Sequence, residues 1–380
     1  MRISILDPWL MDVAGHFLDW DLQIAKALIS LGHEVHIYSN VSITGRAREL
    51  VSRRFQLSPV FRLNCFADPV RVDPIAGELI LFLDGAKMIT DDLAHVCDSD
   101  LWIWPSTTAA HLYACAQLAP KVEISACIPE EPTHTLTNGR MWWRYAFARA
   151  ESTNLRLNIG TTTKRLADEY SILSGAVRIS RFPVPHDGVQ CGAPKTELRK
   201  IGFFGAQRFE KGAGILPELI AMLLRDGYEV VLHDSGSLMH ADEVKGLTVL
   251  GYLPTLAEEI VKCDLVILPY AAMRYRIRAS GILWECFASG VPAIVPANTD
   301  IGAQLQLAGS GRTFTSLSTT EIFQTVKDTH KDFLRIAGNA YKESGRWRES
   351  EGIERFVAAM IGNGHDKGAV AHSLVRPGSM

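Results

Sequence analysis

The chain has 380 residues, which at roughly 150 residues per domain is room for about two domains that each bury a core. Its 47% hydrophobic and 21% charged residues exclude a disordered or fibrous chain, and 39 basic against 42 acidic residues leave a net charge of −3, without the basic field that gathers nucleic acid. Seven cysteines, at 65, 97, 115, 127, 191, 263 and 286, never form a CxxC pair, so neither a zinc site nor a disulfide framework is expected.

The N-terminal MRISILD meets Asp7 after a short apolar run with no small-residue cleavage site, and no apolar run reaches the ~18 residues of a membrane span. The strongest candidate, Leu79 to Leu83, stops at Asp84, and a cytoplasmic chain is expected. In chain order, RISIL at 2–6 reads as a strand, 16–31 as a helix ending at Gly32, and EVHIYS at 34–39 as a second strand. Alternation continues with a helix near 86–97, strand 101–104, helix 108–118, strand 121–128, helix 140–150, strand 156–160, helix 163–172 and strand 177–182. Residues 183–199, PVPHDGVQCGAPKTELR, read as a linker. A second series follows: strand 200–205, helix 212–226, strands 229–234 and 247–250, helix 255–262, strand 264–268, helix 280–289, strand 292–296, and helices near 319–328, 330–341 and 350–361. The pattern predicts an α/β protein of two Rossmann-like, doubly wound domains facing across a cleft, spanning 1–186 and 195–345, with 362–380 as a loose tail.

Ligands of such sheets bind outside the carboxyl ends of the strands, so the loops there hold the candidates. GFFGAQRFEKG, from Gly202 to Gly212, follows a strand with a glycine turn and then Arg208 and Lys211 at an expected helix start, a combination suited to a diphosphate. It lacks the GxxxxGK[ST] pattern of a P-loop. Further on, Ser280 and Gly281 open a helix that carries Glu285 one turn in, where a carboxylate can accept both hydroxyls of a ribose. Arg274, Arg276 and Arg278 precede that helix.

These features in this order resemble a GT-B glycosyltransferase, most of all family 4 and its relatives. The resemblance is carried by Ala14, Gly15 and His16 after the first strand, LISLGHEV, RFEKG, GYLP, CDLVILPY and SGILWECFASGVPAIV, and it runs to about residue 361. It implies transfer of a sugar from a nucleoside-diphosphate sugar, UDP- or GDP-linked, to a hydroxyl acceptor such as a glycan, a lipid-linked sugar or a small molecule. Retention of configuration is expected, with no metal and no separate cofactor. It also implies Arg208 and Lys211 on the diphosphate, Glu285 on the ribose, Gly251 to Leu253 (including Tyr252) near the base, and Trp347 to Met360 as a helix crossing back to the first domain. Family members carry a further glutamate eight positions before the one on the ribose, reaching the donor sugar; Ile277 stands there, and Arg278 or Ser280 is expected to take part of that role.

In the first domain, Gly15 would let backbone approach the donor phosphates, and His16 at the expected helix start is a candidate either to donate to phosphate or to act as a base, as in inverting relatives. Asp12, Glu130, Glu131 and His134 are candidates for the acceptor side, IPEEPTH foremost because two acids and a histidine share a turn. The strings Asp19-Trp20-Asp21 and Asp98-Ser99-Asp100 do not follow strands, so they are read as structural rather than as metal ligands; HEVH at 33–36 lacks the helical spacing of a zinc protease. Arg140, Trp142, Trp143, Arg144, Tyr145, Phe147 and Arg149 form a basic aromatic helix that fits either an anionic membrane presenting an acceptor for polysaccharide synthesis or half-buried aromatics under solvated arginines. Rival readings are a sugar-nucleotide epimerase, a phosphorylase, a dinucleotide oxidoreductase built on Gly309 and Gly311, and a nucleotide-sugar-binding protein without activity.

Overall fold

A computed structural model describes residues 1–13, 17–63, 74–133, 136–186, 189–234, 244–251, 253 and 255–362, with 74–76 described by backbone alone. Short apolar runs buried on both faces become parallel strands, because crossover helices on each side are what removes such a run from water. LWIW at 101–104 and AIVP at 293–296 are buried at every position.

The first sheet contains β1 (Arg2–Asp7), β2 (Glu34–Asn40), β3 (Gln56–Phe61), β4 (Leu101–Trp104), β5 (Glu123–Ile128), β6 (Leu157–Thr161) and β7 (Ile179–Arg181), all parallel, in the order β3-β2-β1-β4-β5-β6-β7. The second contains β8 (Lys200–Phe203), β9 (Glu229–His233), β10 (Leu247–Leu250), β11 (Leu265–Ile267), β12 (Ala293–Pro296) and β13 (Gly311–Phe314), also parallel, in the order β10-β9-β8-β11-β12-β13. The helices of the first half are α1 (Phe17–Ser30), α2 (Gly45–Ser52), α3 (Pro74–Leu93), α4 (Ala109–Leu118), α5 (Gly139–Glu151) and α6 (Lys164–Ser171). Those of the second are α7 (Leu216–Arg225), α8 (Leu256–Ile260), α9 (Gly281–Ser289), α10 (Asp300–Ala308), α11 (Thr319–Lys331), α12 (Phe333–Ser350) and α13 (Ile353–Met360). This is the doubly wound α/β class expected from the alternation. Each sheet reverses its strand order beside its first strand, between β1 and β4 and between β8 and β11, the position where such sheets open a ligand crevice.

Several boundaries differ from the sequence expectation. β3 was hidden by Pro59; it is an edge strand, where a missing N–H is tolerated. α3 begins at Pro74 rather than near 86, so the apolar run at 79–83 is part of a helix packed on α4, not a span. The helix expected from 212 starts at Leu216 instead: two 3₁₀ turns, Phe209–Lys211 and Ala213–Ile215, flank Gly212, whose φ of +81° interrupts an α-helix. α10 and β13 were also missed, and they account for the late glycines. Gly309 ends α10, and a Cβ on Gly311 would sit 1.9 Å from the carbonyl of Ala293, so these glycines serve strand packing rather than a dinucleotide turn.

Past α12, which packs on α9, Gly352 turns the chain and α13 lies against α1 of the first half. There Phe356 meets Trp20 and Phe182 at centroid distances of 6.1 and 6.2 Å, and Asn158 donates to the carbonyls of Ala359 and Met360. The 183–199 segment is tied to this return: Gly352 N–H donates to Val184 C=O at 2.8 Å, and the buried Glu351 carboxylate accepts from Val184 N–H and pairs with Arg181.

Candidate active site where the two sheets meet

β8 ends at Phe203, and Gly205, with φ +91°, turns the backbone across the carboxyl end of the second sheet. Gly205 N–H donates to His233 Nδ1 at 3.2 Å, and Gln207 Nε2 donates to the carbonyls of Gly205 and His233 at 3.0 and 2.8 Å, so the turn is pinned to the end of β9. Arg208 then precedes the first 3₁₀ turn, its side chain about half exposed and 3.4 Å from Glu210. Lys211 is half-buried, with its ammonium 5.5 Å from the centroid of Tyr270. Desolvation, and then the charges of Arg208 and Arg278, push its pKa down to about 8. Gly212 permits this placement, since a Cβ there would meet the Pro269 carbonyl at 2.3 Å.

The segment after β11 supplies the rest. Tyr270 stacks on Tyr275 at 4.2 Å, and the Arg278 guanidinium lies 5.4 Å from the Tyr275 centroid. Ser280 caps α9 by accepting from Leu283 N–H at 3.4 Å and lies 3.5 Å from the Tyr270 hydroxyl. Gly281, the first residue of α9, is exposed with open space where a Cβ would be, so the helix N-terminus is accessible to an anion. Glu285 follows one turn later, half-buried, and Leu253 is half-buried after β10.

From the first sheet comes the loop after β5. The Glu130 carboxylate accepts a hydrogen bond from Arg278 Nη2 at Oε1, 2.9 Å, and its Oε2 lies in ion-pair contact with Arg278 Nε at 2.8 Å, while the Glu130 carbonyl accepts from the Tyr170 hydroxyl at 3.0 Å. Desolvation opposes the charge on Arg278, and Glu130 more than offsets it, holding the guanidinium above its ordinary range. Glu131 is half-buried; desolvation raises its pKa against the opposing charges of Arg276, Arg278 and Arg274.

The same arrangement of two sheets is found in solved glycosyltransferases. Sucrose-phosphate synthase from Thermosynechococcus elongatus is similar with a TM-score of 0.66 at 13% identity, covering 95% of this chain and 97% of that one. HepE of Anabaena, solved with UDP-glucose, has a TM-score of 0.65 at 14% identity over 96% and 100%. WaaG, a glycosyltransferase involved in lipopolysaccharide biosynthesis, has 0.60 at 14% over 95% and 100%. The fold is GT-B. No family model and no curated protein sequence matches the chain.

On this GT-B frame the structure brings together Arg208, Lys211, Arg278, Ser280, Gly281, Glu130 and Glu131 at the carboxyl ends of β8, β11 and β5. Gly15, His16, His134 and Tyr252 lie outside the described residues. Arg208 caps and Lys211 ends a 3₁₀ turn, so the helix N-terminus open to an anion beside them is that of α9 rather than one at residue 212. Gln207, His233 and Tyr270 were missed; their only sequence signal is position, at or just past a strand end. Ile277 is 1% exposed and belongs to the apolar cluster of the first sheet. In α5, Trp142, Trp143 and Phe147 are buried, leaving Arg140, Met141, Arg144, Tyr145 and Arg149 outward. Asp21 is buried in α1, and Asp100 accepts from the Arg2 N–H. Among the described residues no helix is long and apolar enough to cross a membrane.

Proposed function

We propose that the chain transfers a sugar from a nucleoside-diphosphate sugar to a hydroxyl acceptor. The observation that carries the reading is the desolvated Lys211, beside Arg208 and the open N-terminus of α9, at the carboxyl end of the second sheet in a GT-B fold. Two side-chain cations and the first N–H groups of α9, at Gly281 and Ile282, match a diphosphate whose charge grows as the bond to the sugar breaks. Glu285 is then the ribose acceptor, and Tyr252 and Leu253 border the base. UDP or GDP is the favoured nucleotide; HepE was solved with UDP-glucose. On the acceptor side, Glu131 and His16 are the groups proposed to face the incoming hydroxyl. Retention of configuration and independence from a metal are proposed on the resemblance to family 4.

The second reading, nucleotide-sugar binding without transfer, draws support from the removal of Ile277 into the first sheet's core. Contact with an anionic membrane is proposed for the outer face of α3 and α5. Its support is Leu79, Ile80 and Leu83 at 39%, 56% and 39% exposure, beside Met141 and Tyr145 and outward-facing Arg144.

Calorimetric titration of UDP and GDP into the wild-type chain, Arg208→Ala and Lys211→Ala tests the main proposal. Each substitution is expected to weaken binding by about 10- to 100-fold, the worth of one charge-assisted contact. Equal affinities in all three proteins would remove the donor assignment, and product analysis with a panel of nucleotide sugars separates transfer from epimerisation and from binding alone.

A further inference from the structure

The segment between β11 and α9 belongs to the second sheet by connectivity, yet its tip is seated in the first. Ile277 shares a buried apolar cluster with Ile128, Trp143 and Tyr170. The next residue, Arg278, pairs with Glu130, whose own backbone is fastened by the Tyr170 hydroxyl. Looking back into the second domain, Arg278 lies over Tyr275, Tyr275 stacks on Tyr270, and the Lys211 ammonium lies against Tyr270. A continuous stack thus runs from the candidate diphosphate lysine to a carboxylate of the opposite domain. A second contact supports the same tip: Asp300 N–H, at the start of α10, donates to Arg276 C=O at 3.0 Å, and the Asp300 carboxylate interacts with Arg165 and Thr163, which begin and cap α6 of the first domain.

We propose that Ile277, Arg278 and Glu130 are positioning residues that bolt the two domains at the separation required for transfer. The apolar side chain anchors the tip, and the guanidinium orients it through one charge-assisted hydrogen bond to Oε1 and a second close ion contact at Oε2. The ion pair is partly screened from water, so removing either partner takes the principal counter-charge from the other, whereas exchanging the two charges preserves the pair. Glu130 is thereby a residue that acts through Arg278 rather than a base for the acceptor. The tie through Tyr275 and Tyr270 makes the placement of Lys211 depend on the seated tip.

The test is a charge-exchange cycle on the full chain: Glu130→Arg, Arg278→Glu and the double exchange, with Glu130→Gln and Arg278→Gln as milder variants for which folding is checked by circular dichroism. Small-angle scattering reads the separation of the domains without and with UDP, or with GDP where UDP does not bind. Sugar transfer reads the positioning. Each single charge reversal is expected to enlarge the radius of gyration of the ligand-free chain and to lower kcat/KM for transfer by about 100-fold, the cost of a displacement near 1 Å between reacting groups. The double exchange is expected to return the radius to the wild-type value and to recover most of the transfer. A radius unmoved by both reversals and both neutral variants overturns the proposal, as does a double exchange that expands the chain as much as the single reversals do. The transfer arm rests on the proposed function; the scattering arm does not. A wild-type chain inactive with every nucleotide sugar would therefore count against the function while the scattering cycle still decides the bolt.

Discussion

A lysine with a pKa near 8 makes nucleotide binding depend on pH in a calculable way. Lys211 is desolvated between Tyr270 and the charges of Arg208 and Arg278, and its pKa is pushed down to about 8. A diphosphate bound beside it adds opposite charge to that of Glu210 and Glu130 and is expected to return the ammonium to its ordinary range above 10. The complex then holds more protons than the free chain, so binding takes up protons and weakens as pH rises past 8. With those values the uptake is about 0.1 proton at pH 7, 0.5 at pH 8 and 0.9 at pH 9, and the dissociation constant rises about tenfold from pH 7 to pH 9. The terminal phosphate of UDP has a second pKa near 6 and no longer titrates in this window. Calorimetry at pH 8 in two buffers of different ionisation enthalpy reads the uptake directly. Lys211→Arg stays charged throughout, so its binding should be independent of buffer and nearly level from pH 7 to 9. Wild-type binding with no buffer dependence at pH 8 and a level affinity to pH 9 would refute the assignment of Lys211 to the diphosphate.

Three further outcomes follow from other parts of the molecule. Glu285→Ala should weaken UDP binding about tenfold while leaving pyrophosphate binding unchanged, because the carboxylate is assigned to the ribose alone; equal losses for both ligands would reject that role. Asp7 and Asp21 are buried together, desolvation raises both pKa values, and the folded chain keeps protons that the unfolded chain has lost. The stability this contributes is complete below pH 4 and declines as pH rises through the folded values, so Asp21→Asn should lose less stability than wild type between pH 5 and pH 8 in urea unfolding; parallel pH profiles would contradict the pairing. Replacing Leu79 and Ile80 together by Glu should lower sedimentation with phosphatidylglycerol-containing vesicles about tenfold or more and leave UDP affinity untouched, whereas a wild-type chain that ignores such vesicles would end the membrane proposal.

The alternation of strands and helices was legible because a parallel sheet demands fully buried runs, and β1, β2, β4, β5, β9, β11 and β12 each show one. What escaped were elements whose local signal is weak or opposed. β3 carries Pro59 and survives as an edge strand, while α2, GRARELVS, buries only Ala47 and Val51 and is held by a Thr44 cap. α10 is short and begins at a Thr299 cap whose hydroxyl accepts from Gly302 N–H, a signal that is easy to pass over inside ANTDIG. Around residue 212 the error ran the other way. Apolar periodicity suggested one helix, but a positive φ at Gly212 and the neighbouring Pro269 carbonyl impose 3₁₀ geometry for two turns before α7.

The site was legible where its groups are close in sequence and obscure where they are not. Arg208 and Lys211 sit three residues apart on one turn, and Ser280, Gly281 and Glu285 on one helix, so the spacing alone could place them. Arg278 and Glu130 are 148 residues apart, and nothing in either segment names the other as its partner. Ile277 is the sharper case. Read along the chain it is an apolar residue in a run of arginines, at a position where the family resemblance leads one to look for an acid, and so it registers as a loss. In three dimensions its burial among Ile128, Trp143 and Tyr170 is what carries Arg278 to Glu130. An acid at 277 would be driven out of that apolar cluster by the cost of burying an unpaired charge, and the ion pair would lose its anchor. A buried apolar anchor and a charged group reaching into the cleft are therefore mutually exclusive at this one side chain.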